Sequence, residues 1–177
     1  MTEETLVLPE EGIALSQARA TIDKMRGRVF DNVATGIQAQ LSSSAKGKLI
    51  SNKATAKSKA NGFTSEQHNA LAASVDEAYR IARLVSSRPD RAGDVNIVSI
   101  KRFVSPVRFG SKSAAAWITV KESRQHGHHI YSVEAIKLET LDRKVEVASG
   151  NTPHASSVPM TRILAFLRRL VKRAKMS

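Results

Sequence analysis

The chain has 177 residues, which suits one domain with a substantial core. It contains no cysteine, and this excludes disulfide bonds, thiolate zinc sites and thiol catalysis. Its 28 lysine and arginine residues outnumber its 16 aspartate and glutamate residues, giving a formal net charge of +12 at pH 7. Such an excess favours polyanionic partners, with nucleic acid ahead of anionic membrane.

No part of the sequence resembles a membrane or secretion signal. No apolar run approaches the ~20 residues needed to cross a bilayer. The acidic first residues, Met1–Glu11, lack the basic start and apolar stretch of a signal peptide. We therefore expect a soluble, cytoplasmic protein without a membrane partner, and delivery into a target or host cell by another route stays open.

The first half of the chain predicts helices. Residues 1–12 lack periodicity and are expected to form a flexible lead, and Asn32–Gly36 has turn composition. Thr64 and Gln67 fit a capping box at the start of a long helix. Apolar spacing predicts helices over Ser16–Val29, Ala45–Ala60 and Thr64–Val85, a short strand over Ile37–Ser42 and a loop over Ser86–Gly93.

The second half predicts strands and a closing helix. A strand over Val95–Phe103 should end at Ser105-Pro106, and Ala116–Leu138 should form a hairpin with a long loop at Glu122–His129. A fourth strand is predicted over Lys144–Ala148 and a helix over Thr161–Lys175.

Helices followed by strands predict an α+β fold. We expect N-terminal helices packed on one face of a four-stranded antiparallel sheet, with a C-terminal basic amphipathic helix. Residues 13–148 would form a single domain, and residues 149–177 a connector followed by that helix.

Alternation in the hairpin assigns its side chains to two faces. The predicted core face carries Ile118, Val120, Tyr131, Val133 and Ala135. The other face would carry a polar set, which is either a solvated surface or a reaction surface. That polar set is Thr119, Lys121, Ser132 and Glu134.

Three segments together are similar to a known superfamily. They are the run from Thr35 to Ser58 with Gly47-Lys48 and Lys57-Ser58, the segment Gly62–His68, and the hairpin strands around Lys121 and Ser132. Over Asp31–Glu139 the chain resembles the nuclease-like domains of the barnase, EndoU, colicin and RelE superfamily found in large polyvalent proteins of phages and conjugative elements. The resemblance implies an α+β fold and metal-independent ribonuclease activity without a cofactor.

Such cleavage needs a base, an acid and a cation near the phosphate. We predict His68 as the catalytic base or acid, Lys121 as the catalytic cation and Ser132 as an orienting hydroxyl. Residues Lys48, Lys57, Ser58 and His126 are predicted to contact substrate. The alternatives are a core or capping histidine at 68, solvated lysines at 48 and 57, and an ion pair between Lys121 and Glu134.

Three histidines in the hairpin, at 126, 128 and 129, also suit Ni²⁺ or Cu²⁺. No carboxylate follows at a fixed helical offset, so we predict no metal site and favour a polar loop. This loop could supply a second catalytic histidine, His126 or His128.

Arg168 and Arg169 in the C-terminal helix are predicted to bind nucleic acid, against the alternatives of a core-packing helix or a membrane-surface helix. The first function hypothesis is a metal-independent endoribonuclease, such as a toxin of a phage or mobile element. It would act on RNA rather than DNA, with a cognate inhibitor protein as a further partner. The alternative is a non-catalytic nucleic-acid-binding accessory or structural protein on the same scaffold.

Overall fold

A computed structural model describes residues 4–141 and Ala165. Within them the chain forms one mixed sheet and a set of short helices. The strands are β1 (Leu6–Leu8), β2 (Val29–Asp31), β3 (Gln38–Leu41), β4 (Arg83–Arg88), β5 (Ile97–Phe109), β6 (Lys112–Gln125) and β7 (His128–Thr140). The helices are α1 (Leu15–Met25), α2 (Ala45–Leu49), α3 (Asn52–Ala60), α4 (Ser65–Ala73) and α5 (Val75–Ile81).

The sheet corrects the predicted architecture. The α+β class is right, but the predicted four-stranded antiparallel sheet is wrong, because the described strands form a seven-stranded, curled half-barrel. The strand order is β1-β5-β6-β7-β3-β2, with β4 also paired to β5. Two pairs, β1 with β5 and β3 with β7, are parallel. The predicted strand Lys144–Ala148 and, apart from Ala165, the predicted C-terminal helix lie outside the described residues.

One face of the sheet packs against the helices, and we call it the inner face. Its side chains join the main hydrophobic core with residues of α1, α4 and α5. The inner residues of the long strands are Phe103, Val107, Phe109, Ala114, Ala116, Ile118, Val120, Val133, Ile136 and Leu138. The opposite, outer face carries a smaller buried cluster that includes Val104 and Trp117.

Serine residues divide both long predicted helices. The segment Ala45–Ala60 breaks after Ile50, where Ser51 caps α3 by accepting a hydrogen bond from the Ala54 N–H at 3.1 Å. The predicted capping box at Thr64 and Gln67 is present, with both bonds at 3.0 Å. The helix it begins stops at Ser74 and restarts as α5, and residues beyond Ile81 enter β4.

Strand β5 continues through Pro106, although the sequence predicted a break there. On the side of β5 away from β6, the pairing with β4 ends at Val104 and the pairing with β1 begins at Val107. Proline lacks an N–H and is tolerated where a strand edge has no partner. Pro106 lies in that gap.

The N-terminal segment is tied to the helices rather than separate from them. The Ile13 N–H donates to the Glu66 carbonyl at 2.9 Å, and the Gln67 side chain donates to the Glu10 carbonyl at 3.0 Å. Gly12 has a φ of +73°, and a Cβ there would lie 2.0 Å from the Glu66 backbone. Only glycine fits this crossing.

Candidate functional site

The hairpin of β6 and β7 is longer and its turn tighter than predicted. His126 and Gly127 form a two-residue turn with φ values of 48° and 82°, and Gln125 pairs with His128. Both φ values are those of a type I′ hairpin turn. Because the strands extend to this turn, Glu122 and His129 lie in regular strand and not in a loop.

Polar side chains replace the hydrophobic core at this end of the inner face. They belong to β5, β6 and β7, and we call them the Glu122 cluster. Its members are Ser99, Lys101, Glu122, His129 and Tyr131. Their strand positions continue the inner-face alternation of Phe103, Val120 and Val133.

Glu122 is the centre of this cluster. Its Oε2 accepts a hydrogen bond from the Ser99 hydroxyl at 2.6 Å and lies 3.2 Å from the Lys101 Nζ. Its Oε1 lies 2.6 Å from the His129 Nδ1 and accepts a hydrogen bond from the Tyr131 hydroxyl at 3.1 Å. Four donors from the two neighbouring strands therefore surround one carboxylate that is 6% exposed.

These contacts determine the charge of the carboxylate. Burial by itself would raise the pKa of Glu122, but the hydrogen bonds from Ser99, His129 and Lys101 and the charge of Lys101 lower it to about 2. Burial, followed by the negative charge of Glu122, raises the pKa of the Tyr131 phenol. At neutral pH Glu122 is an anion and Tyr131 a neutral donor.

The anion fixes the tautomer of His129. An ionised carboxylate only accepts hydrogen bonds, so the Nδ1 of His129 carries the hydrogen directed at Glu122. In the neutral ring, Nε2 then keeps its lone pair. The side chain is 43% exposed, and no described residue forms a hydrogen bond with Nε2. His129 is therefore an oriented imidazole with one nitrogen available for proton transfer.

An arginine is the cross-strand neighbour of His129. Arg124 pairs directly with His129 across β6 and β7, on the same face. Directly opposed side chains on an antiparallel pair have Cβ atoms about 5 Å apart. Arg124 is exposed, and this pairing puts a positively charged residue next to His129 on the inner face.

The predicted base His68 occupies a different environment. It is 0% exposed between α2, α3 and α4. Its Nε2 donates to the Leu49 carbonyl and its Nδ1 accepts from the Ser58 hydroxyl, both at 2.7 Å, while Ser58 Oγ accepts the Leu138 N–H at 3.1 Å. Burial lowers the pKa of His68. Both ring nitrogens have hydrogen-bond partners, and His68 and Ser58 are both fully buried.

The structure does not bring His68 and Lys121 together. Lys121 projects from the outer face of β6 and pairs with Ser132 on β7. These two lie side by side as the alternation predicted, but on the other side of the sheet from His68. A bulge at Glu134 then moves Ala135, predicted to face the core, to the outer face.

The remaining predicted contacts are scattered. Lys48 forms an ion pair with Glu134, which replaces the expected pairing of Glu134 with Lys121. Lys57 is exposed beside the outer face, and His126 is exposed in the hairpin turn. Arg168 and Arg169 lie outside the described residues.

The histidines of the turn do not converge on a metal. His128 and His129 are consecutive in β7, so their side chains leave opposite faces. Within residues 4–141, no three His, Asp or Glu side chains are arranged to hold a metal ion. None of the helices in the described part of the chain has the length and apolarity to span a bilayer.

One comparison with known proteins gives a match. A family model described as large polyvalent protein-associated domain 3 matches residues 13–131. No curated protein and no solved structure matches the chain. The matched range contains the whole Glu122 cluster and ends at its last member, Tyr131. The chain therefore belongs to the large polyvalent protein-associated domain 3 family.

Proposed function

We propose that this protein is a metal-independent endoribonuclease and that His129 is its proton-transfer residue. The observation that carries the proposal is the contact between Glu122 and His129, which leaves Nε2 with a lone pair beside Arg124. RNA supplies its own nucleophile, the 2′-hydroxyl. The protein needs only to accept that proton and stabilise the charge on phosphorus.

Each residue has a separate part in this reaction. Nε2 of His129 takes the proton of the 2′-hydroxyl, and O2′ forms a bond to the adjacent phosphorus. The bond from phosphorus to O5′ breaks, O5′ takes a proton from water, and the hydroxide left behind takes the proton back from Nε2 of His129, which regenerates the base. Arg124 stabilises the charge on the phosphoryl oxygens, and Glu122 stabilises the imidazolium that forms. The products are a 2′,3′-cyclic phosphate and a 5′-hydroxyl.

The test uses an oligodeoxynucleotide with a single internal ribonucleotide, incubated with the protein in EDTA. We expect cleavage only after the ribonucleotide, with a cyclic phosphate detected by mass spectrometry. His129→Ala should lower the rate by about 10²- to 10⁴-fold. The matched control is His128→Ala, since this neighbour is exposed on the opposite face and should cleave at the wild-type rate.

Two results would reject the proposal. One is the absence of cleavage by the wild-type protein at any RNA sequence in EDTA. The other is equal cleavage by His129→Ala and His128→Ala. Arg124→Gln tests charge stabilisation apart from proton transfer, because it should lower the rate while the residual cleavage still requires His129.

A further inference from the structure

Basic side chains cross the outer face of the sheet in a row. Arg88 lies at the end of β4, Arg102 on β5 and Lys137 on β7, and Lys57 extends the row from α3. Neighbouring strands are about 4.8 Å apart, so the row covers about 14 Å in the direction across the sheet from β4 to β7. It runs diagonally, because Arg88 pairs with Ile100 whereas Lys137 lies at the level of Val104.

Two cavities lie along this row and share Arg102. The first has a volume of about 420 Å³ and is lined by residues that include Lys57, Thr119 and Lys137. The second has a volume of about 320 Å³ and is lined by residues that include Arg88, Asp90 and Arg91. We call the two cavities together the outer groove.

The groove has a surplus of positive charge, because five basic side chains line it against two carboxylates, Asp90 and Glu139. Lys137 is neutralised by Glu139 at 2.5 Å, and the other carboxylate oxygen of Glu139 accepts the Trp117 indole N–H at 2.9 Å. Among the described residues, no carboxylate forms an ion pair with the remaining basic side chains of the groove. These are Lys57, Arg88, Arg91 and Arg102.

Arg102 is held in position between the cavities. Its guanidinium carbon lies 4.6 Å from the centroid of the Trp117 ring. Trp117 is only 8% exposed, so the indole supports the guanidinium and offers little surface for a ligand. The in-plane N–H groups of a guanidinium stacked in this way suit bidentate binding of phosphate oxygens.

We propose that the outer groove binds the phosphodiester backbone of a single nucleic-acid strand without preference for base sequence. Several cations along a recessed row match the repeated charge of one strand, and among the described residues that line the groove there is no exposed aromatic ring for base stacking. The groove lies on the face opposite His129. Binding there does not require cleavage, and the two proposals can fail separately.

The test uses a labelled oligodeoxynucleotide, which lacks the 2′-hydroxyl and cannot be cleaved by the proposed mechanism. Fluorescence anisotropy gives its affinity between about 50 and 200 mM salt, where each backbone contact contributes about 0.7 to the slope of log K against log salt. Arg102→Gln should weaken binding about tenfold at the lowest salt and lower the slope by about 0.7. Lys57→Gln should act in the same direction and leaves the Trp117 contact intact.

The matched control replaces two exposed cations of α1, Arg19→Gln with Lys24→Gln, and should bind as the wild type does. Thermal unfolding of each variant identifies any loss of folded protein. The proposal is overturned if the wild type does not bind the oligonucleotide, or if the control weakens binding as much as Lys57→Gln does. It is also overturned if a duplex binds as tightly as the single strand, or if polyglutamate competes as well as unlabelled oligonucleotide.

Discussion

The two histidines His68 and His129 occupy opposite environments in the structure. His68 is sealed between helices, with a hydrogen bond at each ring nitrogen. His129 is 43% exposed, with one nitrogen held by Glu122. Their partners also select opposite neutral tautomers, with the hydrogen on Nε2 in His68 and on Nδ1 in His129. A histidine satisfied at both nitrogens stabilises a fold, whereas one satisfied at a single nitrogen can transfer a proton.

The largest expected effect comes from removing the buried ring. His68→Ala leaves a cavity and two buried polar groups, at Leu49 and Ser58, without their partner. We expect the free energy of unfolding to fall by about 3 kcal/mol or more. Urea denaturation measures this loss. The control His128→Ala should change it by less than about 0.5 kcal/mol. A loss below about 1 kcal/mol in His68→Ala would show that His68 is not a structural residue.

The substitution Glu122→Gln tests the environment of His129, because Glu122 is the partner of its Nδ1. In the wild type, folding lowers the pKa of the Glu122 carboxyl from 4.5 to about 2. The ionised carboxylate therefore stabilises the fold above about pH 4.5. That contribution is lost as the pH falls toward 2, because the unfolded chain binds the proton first. We expect Glu122→Gln to lower stability by about 2 kcal/mol at pH 7.

The pH dependence of the free energy of unfolding provides a control for this prediction. Between pH 4.5 and 2, the stability of Glu122→Gln should fall less steeply than that of the wild type in urea titrations. Glu11→Gln, at an exposed residue, should keep the wild-type slope. Equal slopes for all three proteins would mean that the Glu122 cluster does not hold an ionised carboxylate.

A smaller pH effect on stability is expected from His68, and urea denaturation between pH 7 and 5 measures it. Burial lowers the pKa of His68, so the unfolded chain binds a proton at this residue before the folded protein does. Stability therefore falls as the pH drops below 6.5.

The tautomers of the two histidines give a further test. Nitrogen NMR of the rings should show the hydrogen on Nε2 in His68 and on Nδ1 in His129. The same tautomer in both rings would contradict the assigned hydrogen bonds.

Several elements followed from local chemistry and were predictable. The capping box at Thr64 and Gln67 needs only residues three apart, and both of its bonds are present. The hairpin strands around Ile118 and Val133 alternate as expected, until the bulge at Glu134 reverses the faces. No periodicity signals a bulge, because it adds one residue to only one strand.

The Glu122 cluster was missed from the sequence, because its members come together only through the register of the strands. Ser99 and Glu122 are 23 residues apart, and they meet only through the pairing of β5 with β6. Because a long loop was predicted over Glu122–His129, these two residues were not placed in strands. A usable signal was present: a two-residue turn at His126-Gly127 continues the alternation through Glu122 and Tyr131. The short strands β1, β2 and β4 carry no comparable pattern.

The smallest expected effect concerns the turn that sets this register. His126 adopts a φ of 48°, a conformation that asparagine accepts more readily than histidine does, and Asn-Gly is the preferred pair in type I′ turns. We expect His126→Asn to raise the free energy of unfolding by about 0.5 kcal/mol, measured by urea denaturation. His128→Asn, outside the turn, should give no gain. A loss of stability in His126→Asn would reject this turn geometry.

The same variant tests the predicted contact of His126 with substrate. If His126→Asn cleaves RNA at the wild-type rate, His126 does not contact the substrate. A tenfold slower reaction in a more stable protein would place His126 beside His129 in the site.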